Sequence, residues 1–456
     1  KIATNHADFP YREGSLKGKS PHRDQLTFML QGLKEMCNPR DPLYRLADMI
    51  PWDEVESWFE HKYAVNDRPA KPIRLMVSLL ILKRLYNLGD ETVVQEWVHN
   101  PYMQYFSGEV EFQWALPCEP SDLVHFRNRI GEEGVKKILK LSIELHGKGG
   151  QEAQVVIDTT VQEKNISYPT DVKLHRKVAT ECVKIAKAEG MQLRQTYTRT
   201  VKRLVYLQRG RNYIKTRKTA LKAARHLKTI SGRLLREVQR KLPPEKMDEY
   251  GWKLEIFKRV LSQQRESKNK IYSIHEPHVY CVAKGKDHKK YEFGSKVSIA
   301  RTKNSGIIVG ALNIETNQYD GHTLAAALEQ IEELRGSRPE VAITDQGYRG
   351  RKQYGETVIV NARDLRRQKT AYGKRKVKKQ LKQQSAIEPV IEHLKSGHRL
   401  IRKNLSGVFG DNINVMLAAA GYNFNRLLRE LIHFLLNFLR RVFAGNTGQL
   451  VLEMDF

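Results

Sequence analysis

Residues 154–161 read QVVIDTTV, a β-branched apolar run with one carboxylate at its centre. The composition of this run predicts a strand. A carboxylate turned inward there costs several kcal/mol unless a cation or a hydrogen-bond partner compensates it. Asp158 is therefore either a water-facing residue on a sheet edge or a charge kept for its chemistry. The run also marks a change of architecture, because the pattern before it is helical.

From Ile50 onward apolar residues keep helical spacing. Pro72 suits the first turn of a helix through Leu75, Leu79, Leu80, Leu82 and Leu85 to about Asn87, with Gly89 as its stop. A second helix is expected over Glu91–Asn100. A third, capped by Ser121, carries Leu123, Phe126, Ile130, Val135, Ile138 and Leu141 on one stripe. Trp52, Trp58, Trp97 and Trp114 read as the core of this helical region. Residues 1–45 read as a polar arm with one helix near Gln25–Met36.

After the strand and a short loop, helical pattern returns for about a hundred residues, broken at Pro243 and Pro244. Residues 176–270 hold 27 Lys/Arg and 8 Asp/Glu, most of the +28 net charge of the 456-residue chain. A solvated face seldom has so one-sided a sign. The segment reads as an arm for a polyanion, nucleic acid first, since neutralising phosphates releases counterions. Lys202, Arg203, Lys215, Arg217 and Lys218 are its candidate phosphate contacts. A hydrophobic content of 40% is enough for packed cores, so the chain is not a basic tail. Its four cysteines are too far apart for a zinc knuckle and read as reduced thiols. The opening residues do not resemble a signal peptide, and the apolar run 431–443 is short for a membrane span and holds Arg440 and Arg441. A soluble cytoplasmic protein is expected.

Strand character resumes at 279–283, 291–300 and 306–315, followed by a helix at 323–334 and short strands at 340–345 and 357–360. The basic stretch 363–382 reads as a mobile loop, and helices at 387–395 and 415–443 complete the chain. This order predicts an α/β mixed sheet with helices on its faces. Two further acids stand out. Asp345 ends the apolar strand EVAITD, a position where ligand groups commonly sit, although an Asp before Gly347 also suits a plain turn. Glu388 opens the helix in SAIEPVIEHLK, with Lys395 two turns on along nearly the same face. Glu392 shares that face, so spacing does not choose between the two glutamates. Three carboxylates on rigid elements would suit a pair of divalent cations in phosphodiester cleavage.

The ordered set of strand Asp158, TDQGYRG (Thr344–Gly350) and the Glu388–Lys395 helix resembles the DDE transposases of bacterial insertion sequences, the insertion-sequence-five type with an InsH-like N-terminal domain. DTTVQEKNISYPTD (Asp158–Asp171) and PSDLVHFRNRIG (Pro120–Gly131) add to the likeness, which spans roughly residues 50–430. It implies an RNase H-like core in which Asp158, Asp345 and Glu388 are catalytic and bind Mg²⁺, with Mn²⁺ as a substitute. It favours Glu388 over Glu392 and puts Lys395 seven residues after the glutamate, as found here; Lys395 and Arg349 are the candidate DNA contacts beside the site. The pattern usually has Arg four residues before the glutamate, where this chain has Gln384, with Lys382 nearby.

The expected organisation is an arm (1–45), a helical DNA-binding domain (46–150), and an RNase H-like catalytic domain (151–430) interrupted by the basic helical insertion at about 173–275. A C-terminal helix and tail (431–456) follow. The expected function is a transposase that binds terminal inverted repeats and target DNA as a homodimer and performs metal-dependent cleavage and strand transfer. A metal-dependent nuclease on the same core and a transposase-derived DNA-binding regulator are the competing readings.

Overall fold

The computed structural model describes residues 32–63, 70–283, 290–348, 352–382 and 384–444, with side chains through residue 433. Among the described residues seven helices come first: α1 (Leu33–Met36), α2 (Pro42–Met49), α3 (Trp52–Glu60), α4 (Ile73–Leu85), α5 (Asp90–His99), α6 (Pro101–Phe106) and α7 (Pro120–Glu144). Of the helix expected over Gln25–Met36, α1 is the described part and residues 25–31 lie outside the described residues. Asp41 starts α2 by accepting hydrogen bonds from the Leu43 and Tyr44 amides, with Pro42 in the first turn.

Every residue of α4 is buried, including Arg74, Lys83 and Arg84. A helix apolar on most sides belongs inside, and its cations must then find partners there. Arg74 lies 4.7 Å over the Trp52 ring and donates to the Phe106 carbonyl. Lys83 and Arg127 both grip Asp90, at 2.5 and 2.8 Å. Arg84 donates to the His398 carbonyl and to Asn414, which ties the helical region to the C-terminal part of the chain.

Three local expectations change. Gly89 is the N-cap of α5 instead of the stop of α4, which ends at Leu85 with Tyr86 as its C-cap. Glu119, in a capping box with Asp122, replaces Ser121 as the start of α7. Trp114 is 85% exposed and Trp58 only half-buried, while Trp52 and Trp97 are core residues as expected. Gly131, at φ +68°, breaks α7 into two segments; a side chain there would meet left-handed strain.

The sheet is built from β1 (Gln154–Glu163), β2 (Tyr280–Ala283), β3 (Tyr291–Thr302), β4 (Ile308–Ile314), β5 (Val341–Thr344), β6 (Gln353–Tyr354) and β7 (Thr357–Val360). Its order is β2-β3-β1-β5-β7-β6, with β4 also paired to β3. β1 is thus an interior strand, antiparallel to β3 and parallel to β5. The edge alternative for Asp158 is excluded. Helix α12 (Asp320–Arg335) crosses between β4 and β5. α13 (Ala362–Arg367), α14 (Ala371–Leu381), α15 (Ile387–Gly397) and α16 (Gly407–Ala444) follow β7. The basic stretch 363–382 is therefore mostly helical, not a loop. Asn361 and Thr370 cap its two helices, and Val377 anchors the second.

α16 packs on α4, α7 and β4, joining the helical region to the sheet. At Gly421 a Cβ would lie 2.5 Å from the Arg84 Cβ, so only glycine allows α4 to approach so closely. The mixed sheet with helices on both faces is an RNase H-like α/β core behind a helical N-terminal region.

Between β1 and β2 the chain forms α8 (Asp171–Ala188), α9 (Thr198–Gln208), α10 (Ile214–Lys241) and α11 (Met247–Ser262). These four have their own apolar core, with Val178, Cys182, Leu227, Ile230, Leu234 and Phe257 fully buried in it. Phe293 of β3 is clasped by Tyr168 at the entry to this segment and Tyr272 at its exit, with ring centroids 5.4 and 5.2 Å away.

Candidate active site

Parallel pairing of β1 with β5 sets Ile157 beside Thr344. The next residues are Asp158, midway along β1, and Asp345, just past the end of β5, so the two acids hold neighbouring positions on adjacent strands. Side chains alternate along a strand, so each Asp shares a face with the residue two positions earlier. Those residues are Val156 and Ile343, and both pack against Ile387 and Ile391 of α15. Each of these apolar side chains stabilises the docking of α15 by about 1.5–3 kcal/mol. The helix bearing Glu388 and Glu392 is thereby fixed on the face that carries both aspartates.

Asp158 is half-buried, and its Oδ1 accepts the Thr159 amide at 2.7 Å. Asp345 is exposed; its Oδ1 accepts the Gln346 amide and its carbonyl accepts the Tyr348 amide, closing the turn after β5. Glu388 is exposed in the first turn of α15, and Glu392 is exposed one turn later. The fold leaves the choice between them open. Among the described residues no three Asp, Glu, His or Cys side chains are close enough to form a ready metal cage. The paired aspartates nonetheless offer the hard oxygen donors that a divalent cation takes, and a third carboxylate is carried on the same face. The donor set fits such a cation in kind.

Lys395 is half-buried farther along α15. It lines a cavity of about 850 Å³ with Arg84, Arg127, Arg399 and Arg402, between α4, α7 and the loop before α16. Lys202 and Arg203 on α9 and Lys215, Arg217 and Lys218 on α10 are all exposed on the insertion. Arg349 lies outside the described residues. Gln384 is half-buried just before α15 and Lys382 is exposed.

Asp320, at the start of α12, was not singled out by sequence, where an Asp before a helix reads as a cap. Its Oδ1 accepts from Thr159 Oγ1 at 3.1 Å and pairs with Lys296 Nζ at 2.8 Å. A Cβ on Gly347 would have the Oδ2 atoms of Asp320 and Asp345 at 3.7 and 3.8 Å, so the turn after β5 runs between two carboxylates. Tyr319 donates to the Gly347 carbonyl and holds that turn against α12. Tyr348 is buried beneath it. Burial, with the charges of Asp158 and Asp320, pushes its phenol well above the usual range and keeps it neutral.

A second polar group, also unmarked in the sequence, lies beyond β1. Asp411 of α16 contacts Lys164 at 2.7 Å, Lys403 and His278 at 3.3 Å; Lys164 also meets Glu276 at 3.0 Å. Burial and the neighbouring Lys164 push the Lys403 amine down to about 5. This buried group joins the end of β1, the exit of the insertion and α16. It is a framework for the site and not part of the carboxylate pair.

An RNase H-like core with one aspartate midway along β1 and a second just past the end of its parallel neighbour β5 defines the class of this protein. Family models agree with that class: a "Transposase domain (DUF772)" matches residues 31–129 and a "Transposase DDE domain" matches residues 262–424. The second span includes Asp345, Glu388 and Lys395, whereas Asp158 precedes it. An uncharacterized protein of Rhizobium meliloti, ORF8 in the nfe locus, is 42% identical over 190 residues, which is 41% of this chain and 91% of the relative. No solved structure matches the chain. The chain belongs to the DDE transposases of insertion sequences. No described helix is long and apolar enough to cross a membrane.

Proposed function

We propose that this transposase binds the terminal inverted repeats of its element, pairs two ends as a homodimer, and carries out Mg²⁺-dependent strand cleavage and transfer into target DNA, with Asp158, Asp345 and Glu388 holding the cations. Mn²⁺ serves as a substitute. The observation that supports this most is the side-by-side placement of Asp158 and Asp345, with the Glu388 helix docked on the same face. Divalent cations bound there would lower the pKa of an attacking hydroxyl and offset charge on the leaving oxygen. The chain's own part is to fix the donors. Asp158 is set by an interior strand, Asp345 by the turn that Tyr319 holds down, and Glu388 by a helix anchored through Ile387 and Ile391. Lys395 and Arg349 neutralise phosphate near the scissile bond. The helical region reads the element ends, and Lys202, Arg203, Lys215, Arg217 and Lys218 track backbone on the insertion. This reading places the protein at the nucleoid in the bacterial cytoplasm.

The test is incubation of the full chain with a duplex carrying an element end and Mg²⁺ or Mn²⁺, wild type beside Glu388→Gln. Nicked and joined products from the wild type alone are expected. Nicks without joining would favour a nuclease. Binding without any nicking in wild type would favour a DNA-binding regulator and overturn the proposal.

A further inference from the structure

The outer end of the insertion exposes apolar side chains where cations are densest. α9 gives way to α10 through an ordered turn, in which the Gly210 carbonyl accepts the Tyr213 amide at 3.2 Å and the Thr216 hydroxyl at 2.7 Å. Around this turn Tyr206 is 68% exposed, Tyr213 71% and Ile214 94%. Arg209, Arg211, Lys215, Arg217 and Lys218 are interleaved with them, and residues 190–236 hold fourteen Lys/Arg without one Asp or Glu. The first buried residue of α10 is Ala220, so residues 214–219 extend past the insertion's own core. Side chains there contribute nothing to folding by burial, and a β-branched residue at such a point gains only if a partner covers it.

The charge selects the partner. A second copy of the same tip would set five cations against five, with no acid nearby to relieve them. A bilayer surface would need a wider apolar face than one Tyr–Ile pair. A nucleic acid offers phosphates to the flanking cations and apolar base faces to the side chains between them. Apolar wedges that enter a base step are used in this way by proteins that bend or mark duplexes.

We propose that Tyr213 and Ile214 form a wedge that enters duplex DNA between base pairs, while Arg209, Arg211, Lys215 and Arg217 hold the phosphates on either side. This rests on the reading of the insertion as a DNA-contacting arm and adds to it a contact that does not depend on charge.

The experiment compares binding of the full chain to two duplexes of one sequence, matched and with a central two-base mismatch, over a series of salt concentrations. A mismatch lowers the cost of unstacking, so a wedge prefers it. Wild type is expected to bind the mismatched duplex about tenfold more tightly. Tyr213→Ser combined with Ile214→Ser should bind both duplexes alike, with the salt slope unchanged. Both positions are exposed, and an unchanged melting curve would show that the variant is folded. Equal binding of the two duplexes by wild type, or a mismatch preference that survives in the variant, overturns the wedge. So does a wild-type dimer, seen by sedimentation without DNA, that the double variant breaks. Variant-sensitive binding to phosphatidylserine vesicles in place of DNA also overturns it. A second variant, Arg209→Gln with Arg211→Gln, Lys215→Gln and Arg217→Gln, separates the two layers. If its salt slope equals that of wild type, the arm reading itself fails. If the slope flattens while the serine variant keeps the preference, the wedge alone fails.

Discussion

Asp158 and Asp345 are neighbours with different support, one inside the sheet and one just past its end. Replacing either with Asn keeps the shape and removes the charge. Asp158→Asn and Asp345→Asn should each slow Mg²⁺-dependent nicking by about a thousandfold, equivalent to about 4 kcal/mol of transition-state stabilisation. Affinity for the same duplex should stay within about twofold, and parallel nicking and gel-shift assays would check both. A variant that nicks at the wild-type rate removes its residue from the site. The glutamate assignment needs its own comparison. Glu388→Gln is expected to match the aspartate variants and Glu392→Gln to retain activity within about threefold; the opposite ranking would move the role one turn along α15. Asp158 was legible in the sequence because an acid inside an apolar strand has few ordinary explanations. Asp320 was not, since its contacts with Lys296, Thr159 and the Gly347 turn depend on chain segments far apart in sequence.

At the level of elements, strands and long helices were legible from periodicity, while their pairing was not. QVVIDTTV announces a strand, yet only the crossover through α12 sets it parallel to β5 and brings Asp345 beside Asp158. The charge of the stretch 363–382 hides two short helices, whose caps and single apolar anchor are weak signals in sequence. Trp114 is exposed against expectation because aromatic content says nothing about which face an aromatic residue takes. Buried charge has measurable consequences at this scale. Burial alone would raise the Asp90 carboxyl, but Arg127 and Lys83 outweigh it and hold it down at about 2. A carboxyl depressed below its unfolded value contributes stability above about pH 4, and this is lost as pH falls toward 2. The loss should amount to about 2 kcal/mol in urea unfolding measured between pH 6 and 2.5. Asp90→Asn should flatten that slope and lower stability at neutral pH, because Arg127 and Lys83 are then left buried without their counter-charge. An unchanged slope would show that the Asp90 cluster does not link α4, α5 and α7 as described.

On the scale of the whole molecule, the described residues form two large apolar cores, one shared by the N-terminal helices and the sheet and one internal to α8–α11, besides the small cluster under α15. Separate cores unfold as separate cooperative units when little apolar contact joins them. Calorimetry of the full chain is expected to resolve two transitions, and Leu234→Ala within α10 should shift only one of them, by about 2–5 kcal/mol. A single transition that moves as a whole would show that the cores are coupled. The sequence indicated this segment by its charge and left its independent core unannounced, because Val, Leu and Ile among so many cations look sparse until four helices bring them together.

The clasp of Tyr168 and Tyr272 on Phe293 bears on how such a protein can diversify. Entry and exit of the insertion are pinned to one ring, and the Lys164–Glu276 pair ties them again beside it, so whatever lies between them is anchored where it leaves and rejoins the sheet. Helices there could lengthen, shorten or be exchanged between lineages without moving the strand that holds Asp158. On the proposed reading, the grip on the DNA backbone and the chemistry performed on it would then be free to evolve at different rates within one polypeptide.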